Sequence, residues 1–98
     1  MDSPDRQQAL REYRRLVQAA RAVLVRNFVD VSRLHFTTTP NGMLISGRLE
    51  RLPARKELSP RDFARLATEL QSAAGGRRIR FELDNWRPGG DGIGWVQA

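Results

Sequence analysis

Apolar side chains recur every three or four positions in two segments of the chain. In residues 3–27 this spacing predicts one long amphipathic helix. Its predicted buried face consists of Leu10, Tyr13, Leu16, Val17, Ala20, Val23 and Leu24, and Phe28 would continue it. Residues 59–74 repeat the spacing between a Ser59-Pro60 start signal and a Gly75-Gly76 stop signal. The pattern therefore predicts two helices, each with one face against a core.

Three other segments alternate between apolar and polar positions, which is typical of β-strands. Residues 28–39 and 43–52 form two such runs, and Pro40-Asn41-Gly42 between them predicts a hairpin turn because Asn and Gly tolerate a positive φ. Residues 77–85 show the most regular alternation. One side of this strand would carry Ile79, Phe81 and Leu83, and the other Arg78, Arg80, Glu82 and Asp84.

The predicted order of elements is α-β-β-α-β, which defines an α+β fold. We expect a two-layer sandwich in which both helices cover one face of a three-stranded sheet. A length of 98 residues is enough for one modest core, so residues 1–98 are expected to form a single domain. If the second and third strands are parallel, the helix between them makes a right-handed crossover.

Residues 87–98 are rich in glycine, and the two tryptophans of the chain, Trp86 and Trp95, lie on either side of these glycines. Three interpretations remain open: a flexible tail, the start of a further helix, or an edge hairpin that returns as a short fourth strand beside Trp86. In the hairpin, unpaired backbone groups and exposed aromatic rings would attract another chain. We therefore expect a protein partner to contact Trp86, Ile93 and Trp95.

The chain has no cysteine and a single histidine, His35, so disulfides, thiolate nucleophiles and zinc-ligand clusters are excluded. The candidate residues for catalysis are His35, Glu82 and Asp84. We interpret His35 as a surface residue of the sheet, and the two carboxylates as members of a solvated ion network with Arg80 and Arg48. A non-enzymatic protein without cofactor, metal or small-molecule substrate is the prediction.

The formal net charge is +6, and every basic residue except Lys56 is an arginine. On a helical wheel the first helix concentrates arginine opposite its apolar face, at Arg11, Arg14, Arg15, Arg21 and Arg26. Such a face suits nucleic acid or an acidic partner, although a general preference for arginine over lysine explains it equally. The N-terminal residues lack the features of a signal peptide and no run of residues is apolar enough to span a membrane, so a cytoplasmic location is expected.

The segment Asn41-Gly42-Met43-Leu44-Ile45-Ser46-Gly47-Arg48-Leu49, set between a helix and a helix-strand pair, resembles BON domains and the ring-building modules of secretion systems. The resemblance covers residues 28–85 and implies the same α-β-β-α-β order. Members of these families are non-enzymatic modules that assemble proteins or meet membranes.

A second resemblance includes residues 45–50, the helix at 59–74, the strand that follows it and Asp91-Gly92-Ile93-Gly94. These segments look like the first half of a STAS domain, the fold of anti-sigma-factor antagonists. Members of that family carry a phosphorylatable Ser or Thr where this chain has Gly92, so the resemblance implies no phosphorylation switch here.

These observations predict a small non-enzymatic module for protein–protein interaction or assembly, as part of a larger complex or through self-association. The alternative is an accessory protein that binds nucleic acid through the arginine face of the first helix.

Overall fold

The computed structural model describes residues 4–89 and 94–98, and it confirms the predicted α+β class and order of elements. A 3-10 turn at Val31–Arg33 precedes the first strand, and a C-terminal hairpin follows the third. The helices and strands are α1 (Pro4–Arg26), β1 (Leu34–Thr39), β2 (Gly42–Gly47), α2 (Pro60–Ala73), β3 (Arg78–Leu83), β4 (Trp86–Pro88) and β5 (Trp95–Gln97).

The three-stranded sheet has the order β1-β2-β3, with β2 in the centre. β2 runs antiparallel to β1 and parallel to β3, so that Ile45 lies between Phe36 and Phe81. A parallel pair needs a long crossover connection, and α2 supplies it. The alternation of side chains then places one apolar row from each strand on the same face of the sheet.

The core lies between that face and the two helices. Leu24, Met43, Ile45, Leu49 and Leu70 are completely buried. Phe63 of α2 forms the aromatic centre, with ring centroids 4.7 Å from Trp86, 4.8 Å from Trp95 and 5.5 Å from Phe81. Contacts of this geometry stabilise a core beyond the burial of apolar area alone.

The predicted limits of the first two strands were too wide. Asp30 caps the 3-10 turn by accepting a hydrogen bond from the Ser32 backbone, so β1 begins only at Leu34. β2 ends at Gly47, where φ is 104° and an added Cβ would lie 2.2 Å from the Arg33 carbonyl oxygen. The predicted helix face was also too long, since Leu10 is exposed.

The turn between β1 and β2 is where the sequence predicted it, but its chemistry differs. Neither Asn41 nor Gly42 has a positive φ, and Gly42 is the first residue of β2, paired with Thr39. Glycine is required there for space, because a Cβ would lie 1.9 Å from the Arg78 carbonyl oxygen. Gly42 allows the close approach of β3 to the hairpin.

The C-terminal residues form the hairpin that was one of the three interpretations. β4 and β5 pair antiparallel, with Pro88 opposite Trp95, and the Ala98 N–H donates to the Asn85 carbonyl at 3.0 Å. The two strands form a separate sheet and do not extend the three-stranded one, which corrects the expectation of a fourth strand at its edge. Ile93 lies outside the described residues.

Asn85 and Trp86 hold the chain after β2 through the backbone of Leu49. The Leu49 N–H donates to Asn85 Oδ1 at 3.0 Å, and the Leu49 carbonyl accepts from Asn85 Nδ2 at 2.8 Å and from Trp86 Nε1 at 3.0 Å. We call this arrangement the Leu49 clamp. It satisfies backbone groups that no neighbouring strand pairs, and it gives the buried indole its hydrogen-bond partner.

The start of α2 is closed by the predicted capping box. The Asp62 N–H donates to Ser59 Oγ at 3.1 Å, and the Ser59 N–H donates to Asp62 Oδ2 at 3.1 Å. The hydrogen bond from the Ser59 backbone, and after it the interaction with the Ser59 hydroxyl, hold the pKa of the Asp62 carboxyl below its ordinary value. Among the described residues, no helix is long and apolar enough to cross a membrane.

Replacing Asn85 with alanine should remove two hydrogen bonds of the Leu49 clamp. The Leu49 N–H would lose its partner, whereas the Leu49 carbonyl would keep the hydrogen bond from Trp86 Nε1. We expect the free energy of unfolding, measured by urea titration, to fall by about 2 kcal/mol. Arg87→Ala is the matched control, because Arg87 is exposed on the neighbouring strand. An equal effect of the two substitutions would contradict the role of the clamp.

The capping box should make the stability of the protein sensitive to acid. Because the folded-state pKa of Asp62 is lowered from 3.8, its contribution is complete above that value and is lost as the pH falls through the lower folded pKa. Asp62→Asn should therefore be less stable than the parent at neutral pH, and the difference should shrink in acid. Urea unfolding at a series of pH values measures this, and a constant difference would contradict it.

Candidate protein-binding surface

The chain that follows α1 has a phenylalanine at a position where the backbone conformation usually requires glycine. The Phe28 N–H donates to the Val25 carbonyl and the Val29 N–H to the Leu24 carbonyl, each at 3.0 Å. This is the Schellman pattern, which requires a left-handed residue and normally uses glycine. Here Phe28 occupies it with φ 63°, and within residues 4–89 and 94–98 no other non-glycine residue has a positive φ.

The chain after β2 fixes the backbone of Phe28 in this conformation. The Leu52 N–H donates to the Phe28 carbonyl at 2.8 Å, and Val29 forms an antiparallel bridge with Arg51. Arg51 also donates from Nε to the Asn27 carbonyl at 3.3 Å and from Nη1 to the Lys56 carbonyl at 3.2 Å. One arginine thus joins the end of α1 to the loop that precedes α2.

These hydrogen bonds bring three exposed apolar side chains to the same end of the molecule. Val25 is 58% exposed, Phe28 41% and Leu52 44%. The guanidinium carbon of Arg55 lies 3.7 Å from the centroid of the Phe28 ring, which is close cation–π geometry. We call Val25, Phe28, Leu52 and Arg55 the Phe28 surface.

The backbone of Phe28 has a conformation that a residue with a Cβ adopts only at a cost. A left-handed conformation costs roughly 1–2 kcal/mol in a residue with a Cβ, and glycine avoids this cost. Phe28 also remains 41% exposed, so part of its ring is accessible to another molecule. Strain of this kind is concentrated at functional sites, where the exposed group serves binding.

The arginine face of α1 adjoins the Phe28 surface. The predicted residues Arg11, Arg14, Arg15, Arg21 and Arg26 are all exposed. Arg21 also stacks on Phe36, with 5.2 Å from its guanidinium carbon to the ring centroid, and Arg26 lies 3.5 Å from Glu69. Val25 follows Arg21 by one helical turn, so the apolar and basic parts meet on the same side of α1.

The structure places the predicted partner-contact tryptophans differently. Trp86 is 2% exposed because its ring stacks on Phe63 and its Nε1 belongs to the Leu49 clamp, which corrects the expectation of an exposed edge residue. Trp95 is half-buried and packs its ring edge-to-face with Phe81, 5.4 Å between centroids. Both side chains stabilise the core, and Ile93 lies outside the described residues.

The polar residues considered for catalysis lie on the open face of the sheet. His35 and Glu82 are exposed, and the register places Ser46 between them. The expected ion network does not form: Arg48 pairs with Glu50 at 3.1 Å instead. Within the described part of the chain, no group of three or more acidic or histidine side chains is arranged to hold a metal ion.

A cleft of about 350 Å³ lies beside the Leu49 clamp, and charged side chains line much of it. Its arginines are largely neutralised from within. Arg33 lies 3.3 Å from Glu50 and 3.9 Å from Asp30, and hydrogen bonds from the Ser32 hydroxyl and backbone hold the pKa of Asp30 below its ordinary value. This charge balance is typical of a structural ion-pair network.

Comparison with protein-family models, curated proteins and solved structures finds no match to this chain. The resemblances to BON domains, secretion ring-building modules and STAS domains therefore stay predictions, and the candidate site is defined by its geometry alone.

Two substitutions at Phe28 separate backbone strain from the contribution of the ring. Phe28→Gly removes both the strain and the ring, whereas Phe28→Ala removes the ring but keeps a Cβ in the left-handed conformation. We expect the glycine variant to exceed the alanine variant in free energy of unfolding by about 1 kcal/mol, measured in urea. Equal stabilities would show that the conformation is not strained.

Proposed function

We propose that the protein is a small, non-enzymatic interaction module that binds an acidic segment of a partner protein at the Phe28 surface. The observation that carries this proposal is the exposed Phe28 ring on a left-handed backbone. A non-glycine residue in a strained backbone conformation with an accessible aromatic ring is a candidate binding residue.

The chemistry of the surface defines the partner. Val25, Phe28 and Leu52 offer apolar contact, and an aromatic ring is the type of side chain that dominates protein interfaces. Arg55 stacks on the ring and adds a cation at its face. The arginine face of α1 continues the positive charge, so the complementary partner carries acidic side chains around one or two apolar anchors.

A second candidate function is nucleic-acid binding through the arginine face of α1. The exposure of Arg11, Arg14, Arg15, Arg21 and Arg26 on one side of a helix favours it, because phosphate groups provide most of the affinity for such a face. This alternative does not require Phe28, because phosphate groups would contact the arginines of α1.

Assembly within a larger complex is the role that the resemblance to BON domains and ring-building modules implies, and it agrees with a module that binds a protein. A cytoplasmic location is also part of this proposal.

Affinity capture tests the proposal. Immobilised parent protein and Phe28→Gly are exposed to a lysate of the source cells, with nuclease treatment in one arm, and each retained protein is purified and titrated by calorimetry. We expect a protein that binds the parent in both arms through an acidic segment and loses at least about tenfold in affinity for Phe28→Gly.

Arg14→Glu combined with Arg21→Glu is the matched variant for the second candidate. Retention that disappears with nuclease and with this pair, but not with Phe28→Gly, would favour nucleic-acid binding. Equal titration curves for the parent and Phe28→Gly would refute the Phe28 surface as the binding site.

A further inference from the structure

The outer edge of β3 presents backbone hydrogen-bonding groups that no other strand of the described sheet pairs. β3 is the last strand of the sheet, and its Arg78 and Asp84 N–H groups donate to carbonyls of Asn41 and Gly47 beside it. Because N–H and C=O groups alternate in direction along a strand, those of Ile79, Phe81 and Leu83 point outward. The hydrogen bond from the Ile79 N–H to Gln71 Oε1, at 3.2 Å, agrees with this direction.

The opposite edge of the sheet is protected in a different way. The Tyr13 hydroxyl donates to the Phe36 carbonyl at 3.0 Å, and Arg21 lies over the Phe36 ring. Helix α1 thus covers the middle of β1, as native proteins do at edges that must not pair. At β3, within the described part of the chain, the side chain that bonds to an outward backbone group is that of Gln71, at the start of the strand.

The charged side chains of β3 have no ion-pair partner among the residues that the structure describes. Within residues 4–89 and 94–98, no ion pair or side-chain hydrogen bond involves Arg78, Arg80, Glu82 or Asp84, although all are exposed. They stand on the open face of the sheet, opposite the core side of Ile79, Phe81 and Leu83. Other surface arginines of the molecule, such as Arg33 and Arg48, do find carboxylates.

The order of these charges makes β3 complementary to itself in the antiparallel direction. Two basic residues come first and two acidic residues follow, placed symmetrically about Phe81. We propose that two copies of this chain associate by antiparallel pairing of their β3 edges about Phe81, with Arg80 opposite Glu82 and Arg78 opposite Asp84 of the second copy. The association joins the two sheets into one.

The hydrogen-bond pattern agrees with this register. The outward groups of Phe81 would bond to Phe81 of the second copy, which makes position 81 a hydrogen-bonded pair. Arg80 and Glu82 then fall in a non-hydrogen-bonded pair, where side chains are closest, and opposite charges there stabilise a sheet. Gln71 already accepts the hydrogen bond of the Ile79 N–H. The Ile79 carbonyl stays available, so it can accept from the Leu83 N–H of the second copy.

This self-association uses a surface different from the Phe28 surface and does not depend on the proposed function. A single strand edge buries less area than a standard interface, so the dimer is expected to be weak and dependent on concentration. Salt should weaken it further, because its ion pairs are exposed.

Charge exchange tests the pairing by sedimentation velocity from about 10 μM to about 1 mM. Arg80→Glu and Glu82→Arg should each raise the dimer dissociation constant about tenfold or more, because each places like charges opposite one another at both symmetric positions. The double variant Arg80→Glu with Glu82→Arg should restore the parent value. Phe28→Gly is the control that should leave the dissociation constant unchanged.

Cysteine pairing tests the register. The natural chain has no cysteine, so Arg80→Cys and Glu82→Cys each introduce a single thiol. In a non-hydrogen-bonded antiparallel pair the Cα atoms are about 4.5 Å apart, which lies within the range of a disulfide. An oxidised mixture of the two variants should therefore yield the mixed disulfide dimer in excess over both symmetric dimers.

Circular dichroism first confirms that each variant is folded, which is expected because positions 80 and 82 are exposed. The proposal would be overturned if the parent protein stayed monomeric up to about 1 mM. It would also be overturned if neither single charge change altered the dissociation constant of the dimer. A statistical mixture of disulfide dimers would overturn the register.

Discussion

The Leu49 clamp is the interaction on which the rest of the structure depends. β2 leaves the sheet at Gly47, so the next backbone groups need partners that no strand provides. Asn85 forms hydrogen bonds with both the N–H and the carbonyl of Leu49. Trp86 adds a third hydrogen bond to that carbonyl, while its ring stacks on Phe63 of α2. The same few atoms therefore tie the loop after β2 to the end of β3, the C-terminal hairpin and the second helix.

The Leu49 clamp also contributes to the position of the Phe28 surface. Once Leu49 is held, the chain passes through Arg51 and Leu52, whose backbones pair with Val29 and Phe28. The loop then returns to α2 with Arg55 over the aromatic ring. The Phe28 surface is thus positioned by the core, although none of its own side chains is buried.

Much of the fold could be predicted from the sequence because its signals are local. The capping residues of α2, the alternation in β3 and the turn after β1 each depend on neighbours in the chain. The left-handed conformation of Phe28 could not be predicted from the sequence. An apolar residue after a helix continues the helical pattern, whatever its backbone conformation. Trp86 was misplaced for a related reason: its burial depends on Phe63 and Leu49, which are far away in sequence.

Gly42 illustrates how little freedom the centre of this sheet allows. It pairs with Thr39 on one side and with Arg78 on the other, so all three strands meet at its backbone. Its φ is ordinary, and the obstacle is the Arg78 carbonyl oxygen, which occupies the volume of any side chain. The volume available at this position therefore excludes every residue larger than glycine. Any added side chain would push β3 away from the hairpin.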